Sequence, residues 1–193
     1  MLSISNDTSP DIGDRILDAA ASCVLAYGVQ RVTLAEIARR AGVSRPTIYR
    51  RWPDTRALLA ALLTRRIVGV LSDVPSRGSG REALVERIVG VAQRLRHDEV
   101  VMSVFHSEPE FAMVYIAERL GTSQQILIDA VADEIRNAQR DGSVRRGDPR
   151  QMAAMCLLIT QSTIQSAQLV APILDADALA VELAYSLNGY LKP

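Results

Sequence analysis

Apolar positions recur along this chain with the spacing of helix faces, and show no strand-like alternation of useful length. From Asp11 to Tyr27, the residues Ile16, Ala20, Cys23, Val24 and Tyr27 share one helical face. Gly28 is placed to end that helix as a left-handed cap. Leu34, Ile37, Ala38 and Ala41 form a second apolar stripe. Thr33 and Glu36 at its head spell a T-x-x-E capping box, and Gly42 breaks the helix. Ser44 then caps a third helix with Pro46 in its first turn, where a missing N–H costs little. Pro53-Asp54 closes that helix. Asp54 caps a fourth, which carries Leu58, Leu59, Leu62, Leu63, Ile67 and Val70.

Pro75 to Gly80 reads as a linker or loop. After it, Leu84, Ile88, Val91 and Leu95 step as a helix, and a short helix is expected between His97-Asp98 and Pro109. A longer one runs from about Thr122 to Arg140, with Ile128, Val131, Ile135 and Ala138 on one face. Gly142 to Gly147 form a turn, and Asp148-Pro149 opens a helix that Pro172 ends. The last helix gathers Leu179, Leu183, Leu187 and Tyr190. The fold class expected is all-α.

Composition agrees, since 48% hydrophobic but only 4% aromatic residues favour helices packed through aliphatic side chains. The formal charge of zero excludes a global basic field. Between Arg31 and Arg66, however, nine arginines (31, 39, 40, 45, 50, 51, 56, 65, 66) face only Glu36 and Asp54. That window carries +7 and the remainder −7, the asymmetry of a nucleic-acid-binding module joined to a domain of opposite sign.

Cys23 and Cys156 lie far apart in apolar helical patterns, without disulfide or zinc spacing, and read as buried thiols in a reducing compartment. A redox switch is the less favoured alternative. The N-terminus has neither a basic start nor an apolar run, and no stretch reaches the ~18 apolar residues of a membrane span. A cytoplasmic protein with no membrane partner is expected. There is no nucleophile beside a base, no acid/base dyad and no phosphate-cradling glycine loop, so enzyme activity and a cofactor are not expected. His106 with Glu108 and Glu110 is too sparse a set to suggest a metal.

The order of capping box, glycine turn, serine cap and outward Arg, Thr and Tyr between Thr33 and Trp52 is that of a helix-turn-helix. Such a unit presents the first turns of one helix to base edges while the preceding helix braces it. Leu34, Ile37, Ala38, Val43 and Ile48 must face the core, with Trp52 as a further anchor. Arg45, Pro46, Thr47, Tyr49 and Arg50 remain to point outward. Arg45 can fork onto guanine or pair with phosphate, Pro46 and the Thr47 methyl can touch thymine methyls, and Tyr49 and Arg50 suit phosphates. Arg39, Arg40 and Arg56 can equally be a solvated helix face, and for Arg65 and Arg66 that is the preferred reading.

Tyr27-Gly28, Thr33, Ile37-Ala38, Ala41-Gly42-Val43-Ser44, Tyr49, Trp52 and Leu58-Leu59 together resemble the N-terminal domain of the TetR family, the tetracycline-repressor-like regulators. The resemblance covers about residues 12 to 66. Trp52 replaces the usual Phe, and Thr55 stands where the family commonly has a phosphate-contacting Lys, a contact that is lost here or taken over by Arg56 or Arg51. With the pattern mapped residue by residue, the expected DNA-binding set is Thr33, Arg45, Pro46, Thr47, Tyr49, Arg50, Arg51 and Thr55.

The resemblance further implies a larger helical C-terminal domain that dimerises and binds a small, apolar effector. It also implies a homodimer on double-stranded palindromic operator DNA, with repression as the output. Residues 1–10 would be a flexible arm, 11–56 the helix-turn-helix domain with a fourth helix over 55–71 as connector, and 72–193 the effector-binding and dimerisation domain. Met102, Phe105, His106, Phe111, Met113, Tyr115 and Gln161 are the candidate pocket residues, although residues of these types are more often plain core than ligand contacts. Met152, Met155, Cys156, Ile159, Thr163, Leu179, Leu183, Leu187 and Tyr190 are the candidate dimer interface; closing only the monomer's own core is the alternative. A C-terminal interaction module without a small-molecule ligand is the alternative function.

Overall fold

The structure, a computed structural model, describes residues 11–107 and 121–193. Nine α-helices follow one another among the described residues: α1 (Ile12–Tyr27), α2 (Leu34–Ala41), α3 (Arg45–Arg51), α4 (Thr55–Asp73), α5 (Gly80–His97), α6 (Glu99–Ser107), α7 (Thr122–Arg140), α8 (Pro149–Val170) and α9 (Ala176–Leu191). One turn of 3₁₀ helix separates α1 from α2, and no strand occurs among the described residues.

The helix starts follow from their caps. The side chains of Asp11, Thr33, Ser44 and Asp54 accept from the N–H groups of Gly13, Glu36, Thr47 and Ala57. Each satisfies a donor that the first turn leaves open, worth about 1 kcal/mol. The capping box at Thr33 is only half made. The Glu36 carboxylate turns forward to Arg39, at 2.6 and 2.9 Å, because the guanidinium one turn along is the stronger partner. Gly28 has the expected positive φ of 75°, but its ψ of 156° is not left-handed helical; its N–H still bonds the Val24 carbonyl at 2.9 Å. Gly42 does adopt the left-handed conformation, and the Val43 N–H reaches back to the Ala38 carbonyl at 3.0 Å. That tight turn is what sets α3 across α2.

Two apolar clusters hold the helices together. Ile16, Ala20, Cys23 and Val24 of α1, Leu34, Ile37 and Ala38 of α2, Ile48 of α3, and Leu58, Leu59, Leu62 and Leu63 of α4 form the first, with Trp52 packed at its edge. It continues into Val91 and Leu95 of α5 and Val100, Val101 and Val104 of α6. The second joins Leu84 and Ile88 of α5, Ile128 and Ile135 of α7, Met152 and Cys156 of α8, and Leu183, Leu187 and Leu191 of α9. Helix α5 therefore belongs to both.

Arg65 and Arg66 are not a solvated face. Arg65 donates to the Asp18 carboxylate at 2.6 Å and to the carbonyl and carboxylate of Asp14, tying α4 to α1. Arg66 Nε lies 3.2 Å from the Asp98 carboxylate, which also caps α6. That pair is an ionic contact by proximity, since the buried Nε has no directed hydrogen-bond partner among the described residues. Helical spacing alone could not show these acids, which lie on other helices. Among the described residues, no helix is long and apolar enough to cross a membrane.

Candidate nucleic-acid interface and effector cavity

Helix α3 is anchored on one side by Ile48, its one buried residue. Around that anchor Ser44, Arg45, Pro46, Tyr49 and Arg50 are exposed and Thr47 is half-buried. Tyr49 leaves 53% of its surface open, a large outlay of aromatic area without cover among the described residues. The Thr47 hydroxyl shares a 2.8 Å hydrogen bond with Ser44 Oγ, which also accepts the Thr47 N–H. Both hydroxyls are thereby fixed at the helix start. Arg45 and Arg50 form no ion pair or side-chain hydrogen bond among the described residues.

The neighbouring cations are engaged elsewhere. Arg39 is held by Glu36, and the same hydrogen bond keeps the Glu36 carboxyl below its ordinary value. Arg40 donates to the Tyr27 hydroxyl at 3.2 Å and lies over its ring. Arg15 closes the end of α2 through the Ala41 carbonyl at 2.8 Å. Arg51, expected on the DNA side, is turned to α1 and pairs with Asp11 at 3.4 Å. Thr33 stands at the N-cap of α2 and Thr55 is the first residue of α4. Arg56 beside it is exposed and makes no ion pair among the described residues.

A second feature is a cavity of about 110 Å³ bounded, among the described residues, by α4, α5, α7 and α8 and by Val101 of α6. Ile67 and Leu71 come from α4, Leu84, Ile88, Val91 and Leu95 from α5, Leu127 and Val131 from α7, and Ala153, Cys156, Leu157 and Ile164 from α8. Burial pushes the Cys156 thiol up to about 11, against a smaller opposing pull from Arg145. Ser123, Thr160 and Gln165 also line the wall, together with two hydrogen-bonded polar groupings. Arg87 pairs with Glu134 of α7 and donates from Nε to the Val74 carbonyl at 2.8 Å and from Nη2 to the Leu71 carbonyl at 3.2 Å. Elsewhere, Gln124 Nε2 donates to Gln161 Oε1 at 3.2 Å, while Gln124 Oε1 accepts the Gly121 N–H at 2.8 Å.

Among the expected pocket residues, Gln161 lines this cavity. Met102, half-buried on α6, is not on its wall. The side chains of Phe105 and His106, and all of Phe111, Met113 and Tyr115, lie outside the described residues. The wall is built mainly of aliphatic residues on regular helices, not of aromatic residues in irregular segments. Their i, i+3, i+4 spacing is the same whether a face meets another helix or a void.

The candidate dimer residues divide similarly. Met152, Cys156, Leu179, Leu183 and Leu187 are buried inside the chain's own core, Ile159, Thr163 and Tyr190 are half-buried, and Met155 is exposed. Tyr190 lies under the Arg145 guanidinium at 4.6 Å, an internal contact. The most exposed apolar residues of this region are Leu158 and Leu169 of α8, Val181 and Tyr185 of α9, and Ile173 between the two helices, with Leu169 and Ile173 at 83% and 85% exposure.

An exposed strip of Arg, Pro, Thr and Tyr on a helix braced by a glycine turn is the construction of a helix-turn-helix DNA-binding protein. Residues 16–62 match the family model for bacterial regulatory proteins of the tetR family. Over 191 residues, 99% of this chain and 100% of the relative, the sequence is 65% identical to an HTH-type transcriptional regulator of Mycobacterium tuberculosis. The chain belongs to the TetR family of bacterial transcriptional regulators, and is a DNA-binding regulator. Solved structures share the fold. The Rhodococcus erythropolis transcriptional repressor QsdR superimposes with a TM-score of 0.69 at 19% identity, covering 94% of this chain and 96% of that one. The Thermus thermophilus repressor FadR, in complex with lauroyl-CoA, gives 0.70 at 21% identity and 92% of each chain.

Proposed function

We propose that the chain is a homodimeric repressor released by a small apolar effector. Its two α3 helices enter successive major grooves of a palindromic operator about one helical turn (~34 Å) apart. The course of α4 carries this reading. The helix supplies Leu58, Leu59, Leu62 and Leu63 to the core beneath α2 and α3, and Ile67 and Leu71 to the cavity wall. An effector that fits one placement of those last turns better than another biases where α3 stands. Only such a difference in affinity can shift the equilibrium. The cavity also favours this reading over an interaction module with a solid core.

In this reading residues 11–56 carry the DNA face, α4 connects, and 72–193 carry the effector and dimer sites. Arg45 reads guanine, Pro46 and Thr47 meet thymine methyls, and Tyr49 and Arg50 hold phosphates. Thr33 and Thr55 offer hydroxyls beside helix N-termini, where phosphate is favoured. Arg56 takes the part of the family's lysine missing at Thr55, because Arg51 is held by Asp11. Repression is supported by QsdR and FadR, both repressors of this fold. No catalytic step is involved.

The test is a gel-shift titration on operator DNA taken from around the chain's own gene. A compound that releases the DNA should also raise the melting temperature, and both effects should vanish when Leu157→Trp fills the cavity. Release that survives Leu157→Trp would sink the proposal.

A further inference from the structure

We infer that the cavity selects an uncharged ligand, an apolar body carrying a carbonyl or hydroxyl oxygen as hydrogen-bond acceptor, and rejects carboxylates. The inference rests on the effector reading and specifies the chemistry of that same site.

The first argument is charge. Arg87 and Glu134 are the ionisable acid–base pair on the cavity wall, and they neutralise each other. Arg87 is further engaged by the Leu71 and Val74 carbonyls, so the one cation among the described wall residues is held on three sides. A carboxylate entering would sit among aliphatic side chains and beside Glu134. To gain Arg87 it would have to displace Glu134, leaving that half-buried carboxylate without its partner. Burial of an uncompensated charge costs far more than burial of a neutral polar group.

The second argument is the direction of a hydrogen-bond chain. The Gly121 N–H at the N-terminus of α7 can only donate, so it fixes Gln124 Oε1 as acceptor. The Gln124 amide nitrogen must then donate to Gln161 Oε1. What remains at the end of the chain is the Gln161 NH₂, a donor on the cavity wall with no partner among the described residues. The Thr160 hydroxyl cannot compete for the same ligand atom as a donor, because its proton goes to the Cys156 carbonyl at 2.8 Å. An acceptor oxygen on the ligand completes the chain.

Size is the third argument. A cavity of about 110 Å³ is in the range of the ~150 Å³ apolar void that admits benzene. It suits one ring or a short chain, and the described wall residues include no spare cation for the charged head of an acyl-CoA such as the one bound by FadR.

The experiment uses the full chain and three probes of like shape, ethylbenzene, acetophenone and benzoate, titrated at pH 7 by calorimetry or ligand-observed NMR. Acetophenone should bind best, and benzoate at least about tenfold more weakly than acetophenone. Gln161→Leu should weaken acetophenone by about threefold or more and leave ethylbenzene unchanged. Benzoate binding as well as acetophenone, or an acetophenone preference that survives Gln161→Leu, overturns the inference and leaves the effector reading standing. The wild-type ranking decides the charge argument without any variant. If no probe saturates the wild type, or binding persists in Leu157→Trp, the cavity is not a ligand site and the effector reading falls too.

Discussion

Ile48 fixes the orientation of every other side chain on α3. With that one residue buried, the helix turns Arg45, Pro46, Tyr49 and Arg50 outward, and none of them contributes to the core beneath. Tyr49→Ala should therefore weaken operator binding in a gel shift while leaving the melting temperature within a degree or two, as expected for an exposed side chain. The two arginines near Thr55 should separate. Arg56→Ala should lower the slope of log affinity against log salt by about 1, the signature of one lost phosphate contact. Arg51→Ala should leave that slope unchanged, since its guanidinium already pairs with Asp11. Cys156 gives a test of another kind. With its thiol pushed up to about 11 by burial, it should resist iodoacetamide at pH 8 in the native chain and react once unfolded, as read by mass spectrometry. The native state holds that proton more tightly than the unfolded state. The Cys156 contribution to stability is thus intact below about pH 8.5, and is lost as pH rises toward about 11. The helix starts at Thr33, Ser44 and Asp54 and the outward strip were legible residue by residue, because each of those caps and its N–H lie three positions apart. The reach of Arg51 to Asp11 was not, because it joins residues forty positions apart on separate helices.

At the scale of elements, α4 shows what local pattern can and cannot supply. Its start is written in the sequence as Asp54, whose carboxylate accepts the Ala57 N–H at 2.7 Å. Its end is closed from outside. No basic residue stands in its last turn, and the Leu71, Asp73 and Val74 carbonyls accept instead from Arg87 and Arg94 of α5. The apolar stripe gave the length of α4, but not the partner that finishes it. The same blindness left the cavity unread, since a stripe facing a void looks like a stripe facing a helix. Arg87 holds two of those carbonyls and also pairs with Glu134, so it links the end of α4 to α5 and α7 at the cavity wall. Arg87→Ala should cost about 2 kcal/mol, because it leaves a half-buried carboxylate and two carbonyls without their donor. Hydrogen exchange should accelerate in the last turn of α4 well before it does in α2. Equal acceleration in both would show a general loss of stability with no particular role for α4.

Over the whole molecule, charge and apolar surface are both unevenly placed, and each is sharper in three dimensions than along the chain. The basic window of the sequence is partly neutralised, with Arg39, Arg51, Arg65 and Arg66 paired to Glu36, Asp11, Asp14, Asp18 and Asp98. Arg45, Arg50 and Arg56 keep their charge outward, on α3 and the first turn of α4. At the other end of the chain, Leu158, Leu169, Ile173, Val181 and Tyr185 are exposed apolar side chains on α8, α9 and their junction, without cover among the described residues. Surface of that kind is disfavoured in water unless something docks on it, and a second copy would bring two α3 helices to one DNA. Tethering two recognition helices makes the second contact intramolecular and raises apparent affinity by about 10²-fold or more with no new contact to DNA. Ile173→Glu and Tyr185→Glu place charges on side chains 85% and 77% exposed, so the fold should survive, as circular dichroism can verify. Light scattering should then report a monomer, and operator affinity should fall by that same factor although α3 is untouched. A dimer that persists through both substitutions, with affinity unchanged, would mean that this surface does not hold the two copies together.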